Sequence, residues 1–295
     1  MPGKSLPVFK IKEFLHVEEG RDFYANTLPV HLSDHHFIHE PHKHDFFLVV
    51  LFTQGKGTHE IDFSTYPVKP GSLFLMSPGQ THNWKLSEDI DGYVFFHSAE
   101  FYELSFRTGK LKDYPFFASV YNSPLVHLNK KAGKKTEVFF QEILEEYRTD
   151  RPMKFRKISL LVDLLYIETA RLYQAATRED QLSEKYAGKL MRLEDLVEKH
   201  FKKIKSPAWY AGQLNISEKH LNRICKLLVD KTTTDLISDR VLLEAKRMLV
   251  HSEHTIAEVA AELGYFDPSY FTRLFRKKEG ETPMQFLKKY RSAVN

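Results

Sequence analysis

Cysteine is nearly absent: Cys225 is the single thiol among 295 residues. A lone cysteine closes no internal disulfide and builds no thiolate metal cage, which excludes a stapled secreted scaffold and a zinc-thiolate module. Long apolar runs are missing as well. The longest, Phe46 to Phe52, falls far short of the roughly 20 residues that cross a bilayer. Met1 to Leu15 contains no continuous apolar stretch of the signal-peptide kind. The expectation is a cytoplasmic protein with a reduced thiol and no membrane partner. Composition, at 42% hydrophobic and 28% charged, excludes a disordered or fibrous chain. The length predicts two domains, since one usually takes roughly 100–200 residues.

Net charge is also small, with 43 basic against 39 acidic residues, but it is unevenly distributed. Glu184 to Asn295 carries 21 basic and 15 acidic residues, while Met1 to Ser183 carries 22 and 24. A basic C-terminal third on a near-neutral body points to a polyanionic partner or, equally, to a solvated charged face.

The first ~125 residues have strand patterning. Phe46 to Phe52 is strongly β-prone, Gly55-Lys56-Gly57 supplies a turn, and His59 to Phe63 alternates at period two. Leu73 to Met76 and Tyr93 to Phe96 follow, punctuated by Pro70-Gly71 and Ser77-Pro78-Gly79. Short strands at such spacing predict a sandwich or barrel. Near Lys130 the period becomes helical. Val138, Phe139, Ile143, Leu144 and Tyr147 form one stripe, broken at Arg151-Pro152. A second helix carries Phe155, Ile158, Leu161, Leu165 and Leu172, widened by Leu160, Leu164 and Ile167. Such an apolar face is covered either by its own domain alone or by a second chain as well, with the seam expected at Leu161 and Leu165 within Lys135 to Tyr173. Thr177 to Lys185 is polar and reads as the linker.

The helical remainder contains a repeat. Tyr210 to Ile216 aligns with Val259 to Tyr265, and His220 to Lys226 aligns with Tyr270 to Arg276. Each copy has helix-turn-helix anatomy. Ala211 or Ala260 permits close helix approach, and Asn215 or Gly264 suits a left-handed turn. Ser217 or Asp267 suits the N-cap of the second helix, with Pro268 at its first position in the second copy. The exposed faces then carry Lys219, Asn222, Arg223 and Lys226, or Ser269, Thr272, Arg273, Arg276 and Lys277. Arginine and asparagine read guanine and adenine edges, while Lys and hydroxyls reach bases or phosphates. Thr233 to Val250, without Gly or Pro and capped by Thr232 or Thr233, predicts a rigid helix joining the copies.

The stretch from Thr255 to Lys277, with Gly280 and Thr282-Pro283, resembles the signature of AraC-type transcriptional regulators; Arg240, Ala245 and Leu249 match the joining helix. This chain departs from the family in the first copy, where Cys225 replaces the usual Phe and Asp230 the usual Gly. The resemblance implies an α+β protein, with residues 184–295 forming an all-α DNA-binding domain of two helix-turn-helix modules. Lys219, Asn222, Arg223 and Lys226 would serve one major groove, and Ser269, Thr272, Arg273 and Lys277 the next.

Residues 1–178 resemble the family's sensor, a cupin-like β-barrel with flanking helices that also dimerises. His42-Lys43-His44, Gly55-Lys56-Gly57, Gly71 and Pro78 to His82 are similar to the two cupin motifs. Leu48 stands where metal-binding cupins place a glutamate, leaving His42, His44 and His82. Three imidazoles can hold a divalent metal, whereas the resemblance implies a metal-free effector pocket with no cofactor and no catalytic residue. His42 and His44 share parity along their strand, and with His82 and Trp84 they would line the mouth of such a pocket, the expected effector site. The bland reading of these residues is a barrel rim satisfied by backbone. A cupin oxygenase, the rival function, lacks its glutamate here and gains nothing from the helical half. The implied partners are promoter DNA, a small-molecule effector, a second copy of the chain and RNA polymerase.

Overall fold

The computed structural model describes residues 7–14, 22–35, 40–106, 111–119, 121–176 and 181–294, excepting the side chains of 174–176, 181–185 and 291–294. The chain divides into two units, Pro7–Glu179 and Asp180–Asn295. In the first unit the elements run β1 (Val8–Phe9), β2 (Phe23–Thr27), α1 (Leu28–Asp34), β3 (Lys43–His44), β4 (Phe47–Gln54), β5 (Gly57–Ile61), β6 (Ser64–Val68), β7 (Ser72–Met76), β8 (His82–Leu86) and β9 (Asp91–His97). They continue with α2 (Ala99–Ser105), α3 (Pro115–Ala118), β10 (Leu125–His127), α4 (Lys130–Tyr147) and α5 (Lys154–Ala176). An antiparallel five-stranded sheet has the order β10-β7-β4-β9-β2, a three-stranded sheet has β6-β5-β8, and β1 pairs in parallel with β3.

The run Phe46 to Phe52 is continuously apolar because the sheet that contains β4 is covered on both faces. Phe47, Val49 and Leu51 pack with Leu75 and Phe95 against Phe140 and Ile143 of α4 and Ile158 and Val162 of α5. Phe46, Leu48, Val50 and Phe52 face the other way, into a core with Phe74, Val94 and Phe96 that Ile61 and Val68 of the three-stranded sheet complete. The predicted strand His59 to Phe63 ends at Ile61. Asp62 and Phe63, with φ of 48° and 67°, instead form the two-residue turn into β6. Positive φ at both positions matches the right-handed twist of a hairpin, and it overrides the alternation read from the sequence.

In the helices, the inner stripe of α4 is Phe140, Ile143 and Leu144, whereas Val138 is half exposed. On α5 the expected seam residues Leu161 and Leu165 are buried within their own unit, together with Ile158, Val162 and Tyr166. The outward stripe is instead Leu160 and Leu164, 51% and 49% exposed.

The second unit is helical: α6 (Gln181–His200), α7 (Pro207–Gln213), α8 (Glu218–Val229), α9 (Thr233–His251), α10 (Ile256–Glu262), α11 (Pro268–Glu279) and α12 (Pro283–Val294). Helix α6 already begins at Gln181, inside the predicted Thr177–Lys185 linker, of which residues 177–180 lie outside the described residues. Polarity misled there, because the exposed first turn of an amphipathic helix is as polar as a linker. Thr232, not Thr233, caps α9: its hydroxyl accepts from the Asp235 amide at 3.0 Å, and the Asp235 carboxylate accepts from the Thr232 amide at 2.9 Å. Across the unit, Arg240 of α9 pairs bidentately with Glu198 of α6 at 2.6 and 2.9 Å, over the Phe201 ring.

Candidate nucleic-acid interface and ligand site

The pairs α7–α8 and α10–α11 are built by the same local chemistry. Asn215 adopts φ 52° and Gly264 φ 79°, the left-handed residue each turn requires. Ser217 then accepts from the His220 amide at 3.2 Å, and Asp267 from the Ser269 amide at 2.8 Å, capping α8 and α11. Leu221, Ile224 and Cys225 point inward from α8, and Phe271 and Phe275 from α11. Cys225 takes the place of a larger aromatic and packs its thiol 3.5 Å from the Thr233 hydroxyl. Burial raises the thiol above its usual range, so it stays protonated.

Asp230 closes α8 at φ 51°, in the left-handed conformation that Gly280 adopts after α11. An aspartate tolerates this region at some cost, so Asp230→Gly is expected to raise stability by a few tenths to about 1 kcal/mol. Denaturant unfolding of the two proteins would measure it; a destabilised variant would mean that the weak 3.7 Å contact of Asp230 with Lys226 outweighs the backbone term.

The predicted contact residues fall on matching helix positions. Lys219 and Ser269 sit two residues after their N-caps, Asn222 and Thr272 five, and Arg223 and Arg273 six. Lys219, Arg223, Lys226, Ser269, Arg273 and Lys277 are exposed, whereas Asn222 and Thr272 are half buried. Asn222 has a second task that the sequence did not signal: its carbonyl accepts from the Thr233 amide at 3.1 Å, fastening α8 to the start of α9. Arg223 donates to the Tyr186 hydroxyl of α6 at 3.3 Å. Arg273 lies 3.6 Å from Asp267 with both side chains largely in solvent, a pair too weak to hold the guanidinium away from an anion.

In the first unit, the histidines called from sequence do come together. His42 lies 4.4 Å from His82 between ring centres, His44 lies 5.1 Å from His82, and Trp84 lies 5.1 Å from His82. A fourth imidazole was missed. His59 is fully buried, and its Nε2 stands 3.0 Å from His82 Nδ1. The available signal was parity, since His59 shares a face of β5 with the buried Ile61. Burial, reinforced by neighbouring imidazoles, holds His44 at about 3 and lowers His59 and His82 well below the ordinary range. Burial also lowers His42. The imidazoles are therefore neutral at pH 7.

Trp84 additionally lines a cleft of about 320 Å³ with Pro29, Leu32, Leu86, Glu88 and Ile90. A larger cleft of about 850 Å³, lined among others by Phe101, Leu104, Phe155 and Arg156, contains none of the predicted ligand residues. Among the described residues, no group of three or more His, Cys, Asp or Glu is arranged to hold a metal ion, and no helix is long and apolar enough to cross a membrane.

Residues 28–128 match the AraC-like ligand binding domain family, and residues 210–289 match a helix-turn-helix domain family. The chain is 23% identical over 291 residues to an uncharacterized HTH-type transcriptional regulator, YfiF, of Bacillus subtilis, covering 96% of this chain and 90% of that protein. It is 22% identical over 249 residues to the HTH-type transcriptional activator RhaS of Salmonella schwarzengrund, covering 82% and 85%. A solved structure of ToxT from Vibrio cholerae is 14% identical, with 90% of this chain and 98% of that chain covered and a TM-score of 0.44. The protein thus belongs to the AraC family of transcriptional regulators, with a ligand-binding domain followed by a helix-turn-helix DNA-binding domain.

Proposed function

We propose that this regulator is a cytoplasmic homodimer that reads promoter DNA through two helix-turn-helix modules per chain, under control of an effector bound in a closed cupin-like barrel. It is not an enzyme. The observation that carries the DNA reading is the common register of α8 and α11: each places an arginine six residues after its N-cap, on the face opposite the buried side chains. Lys219, Asn222, Arg223 and Lys226 serve one groove, and Ser269, Thr272, Arg273 and Lys277 the other. Helix α9, capped at Thr232 and without Gly or Pro, is the spacer that sets the modules about 34 Å apart, one duplex turn. His42, His44, His82 and Trp84 form the effector site, and RNA polymerase is the downstream partner. Residues 1–178 are the effector and dimerisation domain, and 184–295 the DNA-binding domain.

Salt dependence tests the electrostatic part. The observed DNA affinity of the full chain is expected to fall linearly with log salt concentration, and Lys277→Ala to reduce that slope by about 1. A slope unaltered in the variant would remove Lys277 from the phosphate contacts.

Dimerisation is assigned to the outward stripe of α5. Leu160 and Leu164 stand half exposed one helical turn apart, so the pair Leu160→Glu and Leu164→Glu is expected to yield monomers while leaving the fold intact. Sedimentation at micromolar concentration reads the result; a wild type that is already monomeric, with and without DNA, would refute the dimer.

A further inference from the structure

The turns of the two helix pairs differ in length by a single residue. Both leave the first helix in the same way. The Ile216 amide donates back to the Ala211 carbonyl at 3.1 Å, and the Tyr265 amide to the Ala260 carbonyl at 2.9 Å, around the left-handed Asn215 and Gly264. In the first pair the N-cap Ser217 follows Ile216 directly. In the second, Phe266 stands between Tyr265 and the N-cap Asp267. The residues on either side keep their roles, so Phe266 has no counterpart in the first pair.

Phe266 is 105% exposed, more than any other large apolar side chain among the described residues. An apolar residue just before an N-cap often packs on the fourth residue of the helix, here Phe271. That place is taken. The Tyr265 ring lies 5.6 Å from Phe271 and stacks on Tyr270 at 5.9 Å, and the Lys205 ammonium sits 5.1 Å from its centre. The extra residue therefore leaves its phenyl ring in solvent, where covering it would be favourable.

Single apolar side chains on a surface are ordinary. Position sets this one apart, because it adjoins the N-terminal end of α11, and a recognition helix turns its N-terminal residues toward base edges. A phenyl ring has no hydrogen-bonding group for a phosphate or for the polar edges of the bases. The apolar projection that the major groove offers is the C5-methyl group of thymine. Arg273 lies seven residues further on. At 1.5 Å per residue the two are about 10 Å apart along the helix, or about three base-pair steps of 3.4 Å.

We infer that Phe266 determines part of the operator sequence: its ring covers the methyl group of a thymine within about three base pairs of the pair read by Arg273. The first helix pair has no residue for this contact, so the two modules differ in what they read. The inference rests on α11 being a DNA-recognition helix, as proposed above, and deepens that reading.

The test uses the full chain and the duplex that it selects from a random pool. Each thymine near the base pair at which Arg273→Ala loses preference is replaced in turn by deoxyuridine, which removes the methyl group and keeps the pairing. One replacement is expected to weaken wild-type binding about fourfold, the effect of one buried methyl group. Phe266→Ala should bind the thymine duplex at least that much more weakly and be indifferent to the same replacement. Phe266→Leu, which keeps an apolar contact, should remain sensitive to it. The salt slope of Phe266→Ala should equal that of the wild type, since no phosphate contact is lost. A shallower slope, no thymine within about four base pairs of that position, equal binding of every deoxyuridine duplex, or a deoxyuridine effect that persists in Phe266→Ala would each overturn the inference. Arg273→Ala keeps the two readings apart. Preference lost at one base pair with no role for Phe266 removes the thymine contact alone, whereas no loss of preference removes α11 from the groove and the thymine contact with it.

Discussion

Gly264→Ala is expected to destabilise the second unit by about 2–5 kcal/mol, combining a left-handed backbone that disfavours a side chain with overpacking against a neighbour. Gly264 holds φ 79° in the turn between α10 and α11, and a Cβ built there would lie 2.2 Å from the Lys202 carbonyl oxygen. That neighbour is backbone, and it is fixed. The Lys205 ammonium donates to the Lys202 carbonyl at 2.9 Å, to the Leu263 carbonyl at 2.8 Å and to the Phe201 carbonyl, so the end of α6 and the end of α10 share one cation. The turn cannot back away without breaking that arrangement. The two tryptophans make the measurement simple, because Trp84 belongs to the first unit and Trp209 to the second. In a Trp84→Phe background, Trp209 fluorescence during denaturant unfolding reports the second unit alone. Gly212→Ala is the control: Gly212 lies in α7 with nothing within 4 Å of its missing Cβ, so alanine is expected to stabilise by up to about 1 kcal/mol. Equal behaviour of the two variants would show that the α10–α11 turn is not built as described.

The contrast between these glycines shows where the sequence is informative. Asn215, Gly264, Ser217 and Asp267 could be assigned their turn and cap roles from residue type because backbone conformation and local hydrogen bonding act over a few residues. The same holds for Thr232. Leu161 and Leu165 were misplaced for the opposite reason. Periodicity says that α5 has a wide apolar face, but which stripe meets the sheet depends on how the helix is rotated against β4 and β9, a property of distant residues. Parity placed His59 on the face of Ile61, but its approach to His82 depends on the register of β5 against β8, a pairing of residues more than 20 positions apart. Asn222 was legible as a polar residue on the outer face of α8, but its bond to the Thr233 amide required the position of α9. His42, His44 and His82 were legible as a cluster, while the bonds that orient His42 and His44, to the carbonyls of Glu40 and Phe46, depended on the local backbone.

The other large effect concerns DNA. Arg223→Ala and Arg273→Ala are each expected to cost about 1–3 kcal/mol in operator affinity, provided that each guanidinium makes a bidentate contact to a guanine. The two arginines lie on different helix pairs and share no partner, so the losses are expected to add, and the double variant should bind roughly 30-fold to 20,000-fold more weakly. The cost should also be local in sequence. Each single variant is expected to lose preference at one base pair and retain it at the others. Both side chains are exposed: Arg223 is tied to α6 by one long bond, to the Tyr186 hydroxyl at 3.3 Å, and Arg273 by a solvent-screened pair with Asp267, so their loss should cost little stability. Circular dichroism should therefore match the wild type. A uniform loss across all sequences would reassign both arginines to phosphate, and no loss would remove them from the interface.

Selection from random duplexes with the full-length wild-type protein, followed by footprinting of the enriched sequence, tests the central claim most directly. Two modules joined by α9 should select a site with two recognised segments whose centres lie about 10 base pairs apart on the same face of the helix, one segment lost in Arg223→Ala and the other in Arg273→Ala. Enrichment of a single short segment that depends on only one of these arginines, or no enrichment over the starting pool, would contradict a regulator that reads DNA through both helix pairs.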